Sequence, residues 1–406
     1  MLRKSNDSAC IPGVRVKLAV IGAGAAGTAA AWTAASAGAE VTLVHDRAGA
    51  TALYGGVVDL VPWQIATLGP LDPEEIEFAA RLGLWSLPEA GVRVATGAPR
   101  LRPARGADRV LLELESLAGS RIAVADVAVD GWDAPLLADA LSQSGWAQRT
   151  RTSAEAVRVS LFETDAESHF SSYDLAHLND DPARAERVSR MLREAATQAD
   201  AWLLGPWLGT SLEAASRLVE QVPVPVGETT SPPGGAAGAR FEHARDRLVE
   251  FAGIRLVRGR VTGLRSRGGV WRVDTAASVH RDGSDAPDPV LADAVVLAVG
   301  GLVSGGVRLR DPAASGSLGC DFELSLDAPV CFELDGQELP GVSSMHGVDL
   351  QAWGMGSLER VGVATDGARV RGANRIFAAG SVVAGRPRTA LEAVRAGIAA
   401  ARAALG

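Results

Sequence analysis

Apolar residues run without a charge from Leu18 to Ala39, and this run has internal structure. Residues 16–21 are rich in branched side chains and predict a buried strand, an alanine-rich segment ending at Gly38 predicts a helix, and residues 39–44 predict a second strand. The run is long enough to span a bilayer. Its spaced glycines and hydroxyl side chains lower the hydropathy, so the pattern favours strand, turn and helix over a membrane span.

The turn between the first strand and the helix carries glycines at the spacing of the dinucleotide fingerprint. Gly22 suits the tight turn, Gly24 lets a pyrophosphate approach the backbone, and Gly27 lets the helix pack on the strand. The free N–H groups and positive dipole end of the helix would then face the phosphates. The predicted cofactor-binding residues of this turn are Gly22, Ala23, Gly24, Ala25, Ala26 and Gly27.

The end of the second strand departs from the usual dinucleotide pattern. An acid there normally binds the ribose hydroxyls, but His45 follows Val44 and the acid, Asp46, comes one position later. Neighbouring side chains of a strand point to opposite faces, so the ribose contact is open between these two residues. We take both as cofactor-binding candidates, together with Gly55 and Gly56 in the segment that follows.

Another predicted strand that is followed directly by glycines lies in the middle of the chain. Residues 294–299 are apolar and largely β-branched, and Gly300 and Gly301 follow them. This is typical of a central parallel strand whose end lets a ligand approach the backbone. Helix 239–251 and strand 254–259 precede it and continue the alternation of strands and helices.

A third strand end lies near the C-terminus, where residues 374–379 lead into Gly380 and Ser381. A long alanine-rich helix follows, and its capping-box pattern places its start at Thr389. We expect a second helix N-terminus here, placed for an anion or a ring oxygen. Arg386 and Arg388, just before the helix, are candidate substrate-phosphate ligands.

Composition narrows the class of protein. The chain has 406 residues and a net charge of −8, which suits about two domains and argues against nucleic acid as the main partner. Cys10, Cys320 and Cys331 form no metal-ligand pattern, so we expect a reducing, cytoplasmic location and no bound metal. No other stretch looks membrane-spanning, and the first residues lack a signal-peptide layout.

The three strand ends, in this order, resemble those of the two-dinucleotide-type FAD flavoproteins. The resemblance covers about the first 60 and the last 170 residues. It implies an α/β fold: a Rossmann-like FAD-binding domain, with a parallel sheet flanked by helices, and an inserted α+β cap or substrate domain. We assign 1–61, 234–310 and 356–406 to the flavin-binding domain and 62–233 and 311–355 to the cap.

Within that superfamily the chain resembles the B subunits of anaerobic glycerol-3-phosphate dehydrogenase. The similar segments are Gly55-Gly-Val-Val-Asp-Leu60, Thr230-Ser-Pro-Pro-Gly234, residues 299–306 and Phe377-Ala-Ala-Gly-Ser-Val382. The family implies a flavin subunit that works with catalytic and iron–sulfur subunits, oxidises glycerol 3-phosphate and passes electrons to quinone at the inner face of the membrane. Residues 385–388 replace a more glycine-rich, acidic segment of the family, and 62–225 match only loosely.

Three functions therefore remain open. The chain is a flavin subunit of the glycerol-3-phosphate dehydrogenase type, which oxidises the alcohol or only relays electrons; a self-contained FAD oxidoreductase of another substrate class; or a degenerate scaffold subunit. FMN remains an alternative to FAD. Alcohol oxidation needs a base, and His346, on a glycine-flanked loop, is the candidate catalytic residue.

Overall fold

The structure is a computed structural model. It describes residues 15–60, 70–161, 163–195, 198–277, 288–310, 319–334, 337–339 and 360–406.

The strands of the first half of the chain are β1 (Lys17–Ile21), β2 (Glu40–His45), β3 (Val57–Leu60), β4 (Trp85–Ser86), β5 (Val92–Thr96), β6 (Arg100–Asp108), β7 (Arg121–Asp126), β8 (Ser153–Arg158) and β9 (Ala201–Leu204). Those that follow are β10 (Val226–Glu228), β11 (Arg255–Arg267), β12 (Val270–Ala277), β13 (Val290–Ala292), β14 (Ala294–Leu297), β15 (Val307–Arg310), β16 (Gly319–Phe322), β17 (Ser325–Leu326), β18 (Phe332–Leu334), β19 (Gln337–Leu339), β20 (Gly362–Val363), β21 (Thr365–Asp366), β22 (Arg369–Val370) and β23 (Ile376–Ala378).

The α-helices are α1 (Ala25–Ser36), α2 (Pro73–Leu82), α3 (Ala134–Ser142), α4 (Gly145–Thr150), α5 (Ser172–Leu178), α6 (Pro182–Ala195), α7 (Leu212–Val219), α8 (Ala236–Phe251) and α9 (Ala390–Leu405). Short 3₁₀ helices cover Ala50–Leu53, Glu115–Leu117, Asp165–His169 and Gly380–Val382.

The main sheet has a parallel centre in the order β11-β2-β1-β14-β23. Numbered along the chain, this is the order 3-2-1-4-5 of the Rossmann fold. Antiparallel strands extend both sides, with β12 and β13 beyond β11, and β22 and β21 beyond β23. The α/β fold predicted from the sequence is therefore confirmed.

The first and last helices pack closely because their contact is built from small residues. A Cβ on Gly397 of α9 would lie 2.2 Å from the carbonyl oxygen of Ala26 in α1. The alanines of α1 are mostly buried, and several pack in a core with Val20 and Phe377 of the sheet. The small side chains of α1, which lower the hydropathy of this segment, thus allow the two helices to pack closely.

The inserted region contains a second sheet that is also parallel, in the order β10-β9-β7-β8. Helices α3 to α7 lie between its strands along the chain. Beside it, β3, β4 and β5 pair antiparallel with β6. The cap predicted as α+β therefore combines a parallel α/β layer with an antiparallel layer. The sequence did not indicate the parallel layer, because these short strands show no clear hydrophobic period.

The predicted change from flavin domain to cap at residue 61 does not coincide with a change of packing partners. Strand β3 lies before it but pairs with β6 of the inserted region. Helix α2 lies after it, yet Phe78 shares a core with Phe241 of α8 and Leu391 of α9. We use "cap" below for residues 57–60 and 84–228.

Across the described part of the chain, the helices are too short or too polar to cross a membrane.

Candidate functional site

A cavity of about 1410 Å³ opens at the carboxyl ends of the parallel strands. Segments that follow β1, β2, β14 and β23 line it, as do residues 259–261 of β11. Ligands of open α/β sheets bind at this edge. The three glycine-containing strand ends that the sequence singles out therefore line one cavity.

The glycine turn has the backbone geometry that its sequence predicts. Gly22 has a φ of +103°, and a Cβ there would lie 2.2 Å from the carbonyl oxygen of Ala298. A Cβ on Gly27 would lie 1.8 Å from the carbonyl oxygen of Gly22. Gly24 is the N-cap of α1 and makes no side-chain capping hydrogen bond, so the helix N-terminus can accept a phosphate.

Thr51 contributes a hydroxyl to this turn that sequence reasoning missed. Its Oγ1 accepts a hydrogen bond from the backbone N–H of Ala25 at 3.1 Å, and the residue lines the cavity. A hydroxyl shortly after Gly49 was the available signal, but nothing in the sequence set its distance from α1.

The second and third strand ends are joined by a hydrogen bond. The N–H of Gly301 donates to Oγ of Ser381 at 2.9 Å, and both residues line the cavity with Gly300 and Gly380. A Cβ on Gly380 would lie 2.7 Å from Cβ of Ala26. These predicted residues thus lie together, next to the first helix.

The N-terminus of α9 is already occupied by a carboxylate of the chain. Oδ1 of Asp59 accepts the N–H of Ala390 at 2.7 Å, and its two oxygens lie 3.4 and 3.3 Å from the backbone nitrogen of Leu391. Thr389 caps the helix as predicted, with its Oγ1 accepting from Glu392. The expectation of a free helix end for an anion or ring oxygen therefore needs correction, because Asp59 takes the first N–H groups.

Asp59 is itself a notable group of the site. It is half-buried, has a φ of +49°, and lines the main cavity and a second one of about 270 Å³. Burial raises the pKa of its carboxyl, although the hydrogen bonds from Ala390 and Leu391 and the charge of Arg105 act in the opposite direction. The sequence placed Asp59 in a family segment without giving it a role.

At the other end of the cavity, His45 is the last residue of β2 and both its ring nitrogens are buried. Desolvation, followed by the charge of Arg245, lowers the pKa of His45 to about 4. The imidazole is therefore neutral at pH 7. Asp46 also lines this end.

Three arginines converge on one glutamate near His45. Arg47, Arg260 and Arg308 each pair with the carboxylate of Glu323. Burial opposes ionisation of Glu323, but the hydrogen bond from Arg47 and the three charges hold its pKa below the usual value. All four residues line the cavity, and the excess of positive charge suits an anionic ligand.

The remaining predicted residues fall in different places. Gly55 lines the cavity, whereas a Cβ on Gly56 would lie 2.7 Å from Leu111, so Gly56 serves packing.

Arg388 lines the cavity and donates to the carbonyl oxygens of Val383 and Val361. Arg386 is exposed and pairs with Glu392 at 3.3 Å, outside the lining. His346 lies outside the described residues.

A fully buried ion cluster lies behind the cavity. The guanidinium of Arg240 donates to Asp108 at 2.8 Å, to Glu228 at 2.7 Å and to the carbonyl oxygen of Gly209 at 2.7 Å. Burial raises the pKa of Glu228 to about 7, against the effect of Arg240. Thr230, two residues after Glu228, lines the cavity. Among the described residues, no group of three or more potential metal ligands comes together.

The strand order and the glycine turn define the class: the chain has a Rossmann-type, dinucleotide-binding α/β fold. Residues 16–124 match a family model described as pyridine nucleotide-disulphide oxidoreductase. A comparison with curated proteins by sequence finds no match.

Several solved structures match this chain at low sequence identity. Glycine oxidase from Geobacillus kaustophilus is 14% identical, with 96% of this chain and 94% of that chain covered and a TM-score of 0.34. A GidA-related protein from Thermus thermophilus is 12% identical, with 96% and 97% covered and a TM-score of 0.33. AlpK is 11% identical with a TM-score of 0.31; the match covers 95% of this chain but only 60% of that chain.

FAD is the cofactor that fits this cavity. The N-terminus of α1, where Thr51 takes the N–H of Ala25 and no side chain of Gly24 caps the helix, suits its pyrophosphate. The ring nitrogens of His45, which have no hydrogen-bond partner among the described residues, offer hydrogen bonds beyond the phosphate turn. FMN has no group that would extend to the end of β2. Tyr54, Asp59 and Arg388 also line the cavity.

Proposed function

We propose that the chain is an FAD-dependent oxidoreductase that dehydrogenates a small hydroxyl-bearing substrate, of the glycerol-3-phosphate dehydrogenase B type. The observation that carries the proposal is the single cavity that runs from the glycine turn to Asp59 and Arg388 and is bordered by cap residues. The resemblance of the Gly55–Leu60, Thr230–Gly234 and Phe377–Val382 segments supports the finer assignment.

The chain's own residues supply the other needs of alcohol oxidation. When bound, FAD supplies a two-electron acceptor for the hydride of the carbinol carbon. Asp59 is the carboxyl group at the cap end of the described lining, and we assign it the proton of the substrate hydroxyl. Arg388 offers a positive charge for an anionic substrate group while its carbonyl contacts hold the side chain in place.

The first experiment is the absorption spectrum of the purified chain, followed by identification of the released flavin. Oxidised flavin bands with FAD in the supernatant are expected, and a colourless protein that does not take up FAD would contradict the proposal. Bleaching by sn-glycerol 3-phosphate alone would place the alcohol oxidation on this chain. Bleaching only by other hydroxy compounds would favour the self-contained oxidoreductase of another substrate class.

Asp59→Asn tests the proton acceptor. The amide oxygen can still accept from Ala390 and Leu391, so folding and FAD content should be nearly unchanged, while removal of the base slows flavin reduction about 100-fold or more. Rapid-mixing absorbance measures that rate. Arg386→Gln is the control, since Arg386 lies outside the cavity lining, and equal rates in all three proteins would remove Asp59 from the mechanism.

The partners and location are proposed on the family resemblance. We infer that catalytic and iron–sulfur subunits carry the electrons onward to quinone and hold the chain at the inner face of the membrane. Purification from the native cells in mild detergent tests this point: co-elution with those subunits supports it, and a flavin-loaded chain that elutes alone contradicts it. A chain that co-elutes without flavin would instead be the scaffold subunit.

A further inference from the structure

The imidazole of His45 lines the cavity, and neither of its buried ring nitrogens has a hydrogen-bond partner among the described residues. We propose that His45 binds the ribose of the adenosine half of the cofactor, taking the place of the acid found there in other dinucleotide-binding folds. The inference rests on the proposed FAD function and names the residue that recognises the far end of that cofactor.

The position of His45 in the sheet supports this role. It ends β2, and the preceding residue accepts the N–H of Gly22 at 2.8 Å through its carbonyl oxygen. His45 therefore follows the strand that is paired to the glycine turn. In the Rossmann fold the ribose of the nucleotide lies at this strand end.

The hydrogen bonding of His45 is incomplete without a ligand. Nδ1 and Nε2 are both buried and have no hydrogen-bond partner among the described residues, although the backbone of Arg47 lies close enough to act on the ring. A buried polar atom without a partner is unfavourable, because it has lost its hydrogen bonds to water and gained none in the protein. A ribose hydroxyl can donate to one nitrogen, as it would to a carboxylate, and the other nitrogen can donate to the backbone carbonyl oxygen of Arg47.

The surrounding charges explain why a neutral group suits this position. Arg245 and Arg258 both pair with Asp246, and they act on His45 electrostatically. A carboxylate at position 45 would compete with Asp246 for these arginines, whereas a neutral imidazole leaves the pairs intact and stays available to the ligand. The ribose is uncharged, so a neutral partner binds it without an unpaired charge.

The test measures binding of ADP, 2′-deoxy-ADP and 3′-deoxy-ADP to flavin-free protein by calorimetry. In the wild type, loss of one hydroxyl should weaken binding about 3- to 10-fold, the value of one hydrogen bond. His45→Ala should bind ADP and the deoxy analogues equally well. His45→Gln should restore part of the difference, because its amide also offers a donor and an acceptor.

Asp46→Asn is the matched comparison, since Asp46 is the neighbouring candidate. If Asp46→Asn removes the preference for ADP and His45→Ala keeps it, the ribose belongs to Asp46 and the inference is wrong. It is also wrong if the wild type shows no preference or does not bind ADP at millimolar concentration. If the protein takes up FAD and His45→Ala does not change ADP binding, the inference is wrong but the proposed function stands. If His45 is needed for ADP binding but the protein does not bind FAD, the proposed function is wrong and the role of His45 in binding ADP stands.

Discussion

At the scale of single residues, Gly27 shows how one absent side chain lets a helix meet a strand. Gly27→Ala places a Cβ at 1.8 Å from the carbonyl oxygen of Gly22, and a backbone atom cannot yield as a flexible side chain can. We expect a loss of about 2–4 kcal/mol in the free energy of unfolding and loss of FAD binding, measured by urea unfolding and flavin titration.

The control for this variant is Gly145→Ala at the start of α4. There the nearest atom to the new Cβ is the end of the flexible Arg149 side chain at 3.3 Å, so stability should change by less than about 1 kcal/mol. Equal effects at the two sites would mean that the glycine turn has room that the structure does not show.

His45 makes stability depend on pH in a defined window. Its folded pKa of about 4 lies below the unfolded value of 6.5, so between these values the unfolded chain binds a proton that the folded protein does not. The free energy of unfolding should therefore fall as the pH falls from 6.5 towards 4, by at most ~3 kcal/mol from this group.

His45→Gln isolates this effect, because glutamine does not titrate. We compare the loss of stability between pH 7 and pH 4.5 in the two flavin-free proteins by urea unfolding, which cancels the other titrating groups. The wild type should lose about 2 kcal/mol more than the variant. Equal losses would show that burial and the charges of Arg245 and Arg258 do not hold the imidazole neutral against the opposing charge of Asp246.

Single residues of the site were predictable where the pattern is local. Gly22, Gly24 and Gly27 lie in one turn whose spacing has a stereochemical cause. Arg260 and Glu323 were not found, because they reach the cavity from β11 and from the chain after β16. A local sequence pattern cannot indicate a contact between residues that are far apart in the chain.

At the scale of elements, Arg240 ties three of them together. It lies on α8 and pairs with Asp108 at the end of β6 and Glu228 at the end of β10, all fully buried. Arg240→Met leaves two buried acids without a counter-charge, so we expect a loss of about 3–5 kcal/mol in unfolding free energy. Adding Glu228→Gln should recover part of it, since one buried charge is then removed.

Arg158→Met provides the comparison for Arg240. Arg158 pairs with Asp126 at 3.1 Å on the surface, with 67% of its side chain exposed, and exposed pairs contribute about 0–1 kcal/mol. Chemical unfolding of both variants gives the two values. Similar losses would mean that the buried cluster is hydrated rather than dry.

The elements themselves were predictable to different degrees. The capping pattern placed Thr389 as an N-cap, and this is confirmed because a cap depends on a few adjacent residues. The parallel order of the cap sheet was not predicted, since pairing depends on distant segments. Trp132 and Trp207, which follow β7 and β9, stack edge to face at 5.2 Å, and sequence alone gave no reason to bring them together.

At the scale of the whole molecule, the cavity joins parts that are far apart in the chain. The sheet strands come from 17–45, 255–297 and 376–378, while cap residue Thr96 and the loop residue Thr230 also line the cavity. A ligand that fills it contacts all these parts only in the folded state. Binding should therefore stabilise the molecule as one unit against heat.

FAD at 100 times its Kd should add about 2.7 kcal/mol to the free energy of unfolding and raise Tm by a few degrees. FMN at the same concentration should raise Tm much less, because it lacks the adenosine that contacts the end of β2. Thermal unfolding of flavin-free protein, followed by circular dichroism, measures both, with ADP as a control that fills only the nucleotide end. An equal rise with FMN and FAD would show that the far end of the cavity is not used, and would remove the reason for an imidazole at position 45.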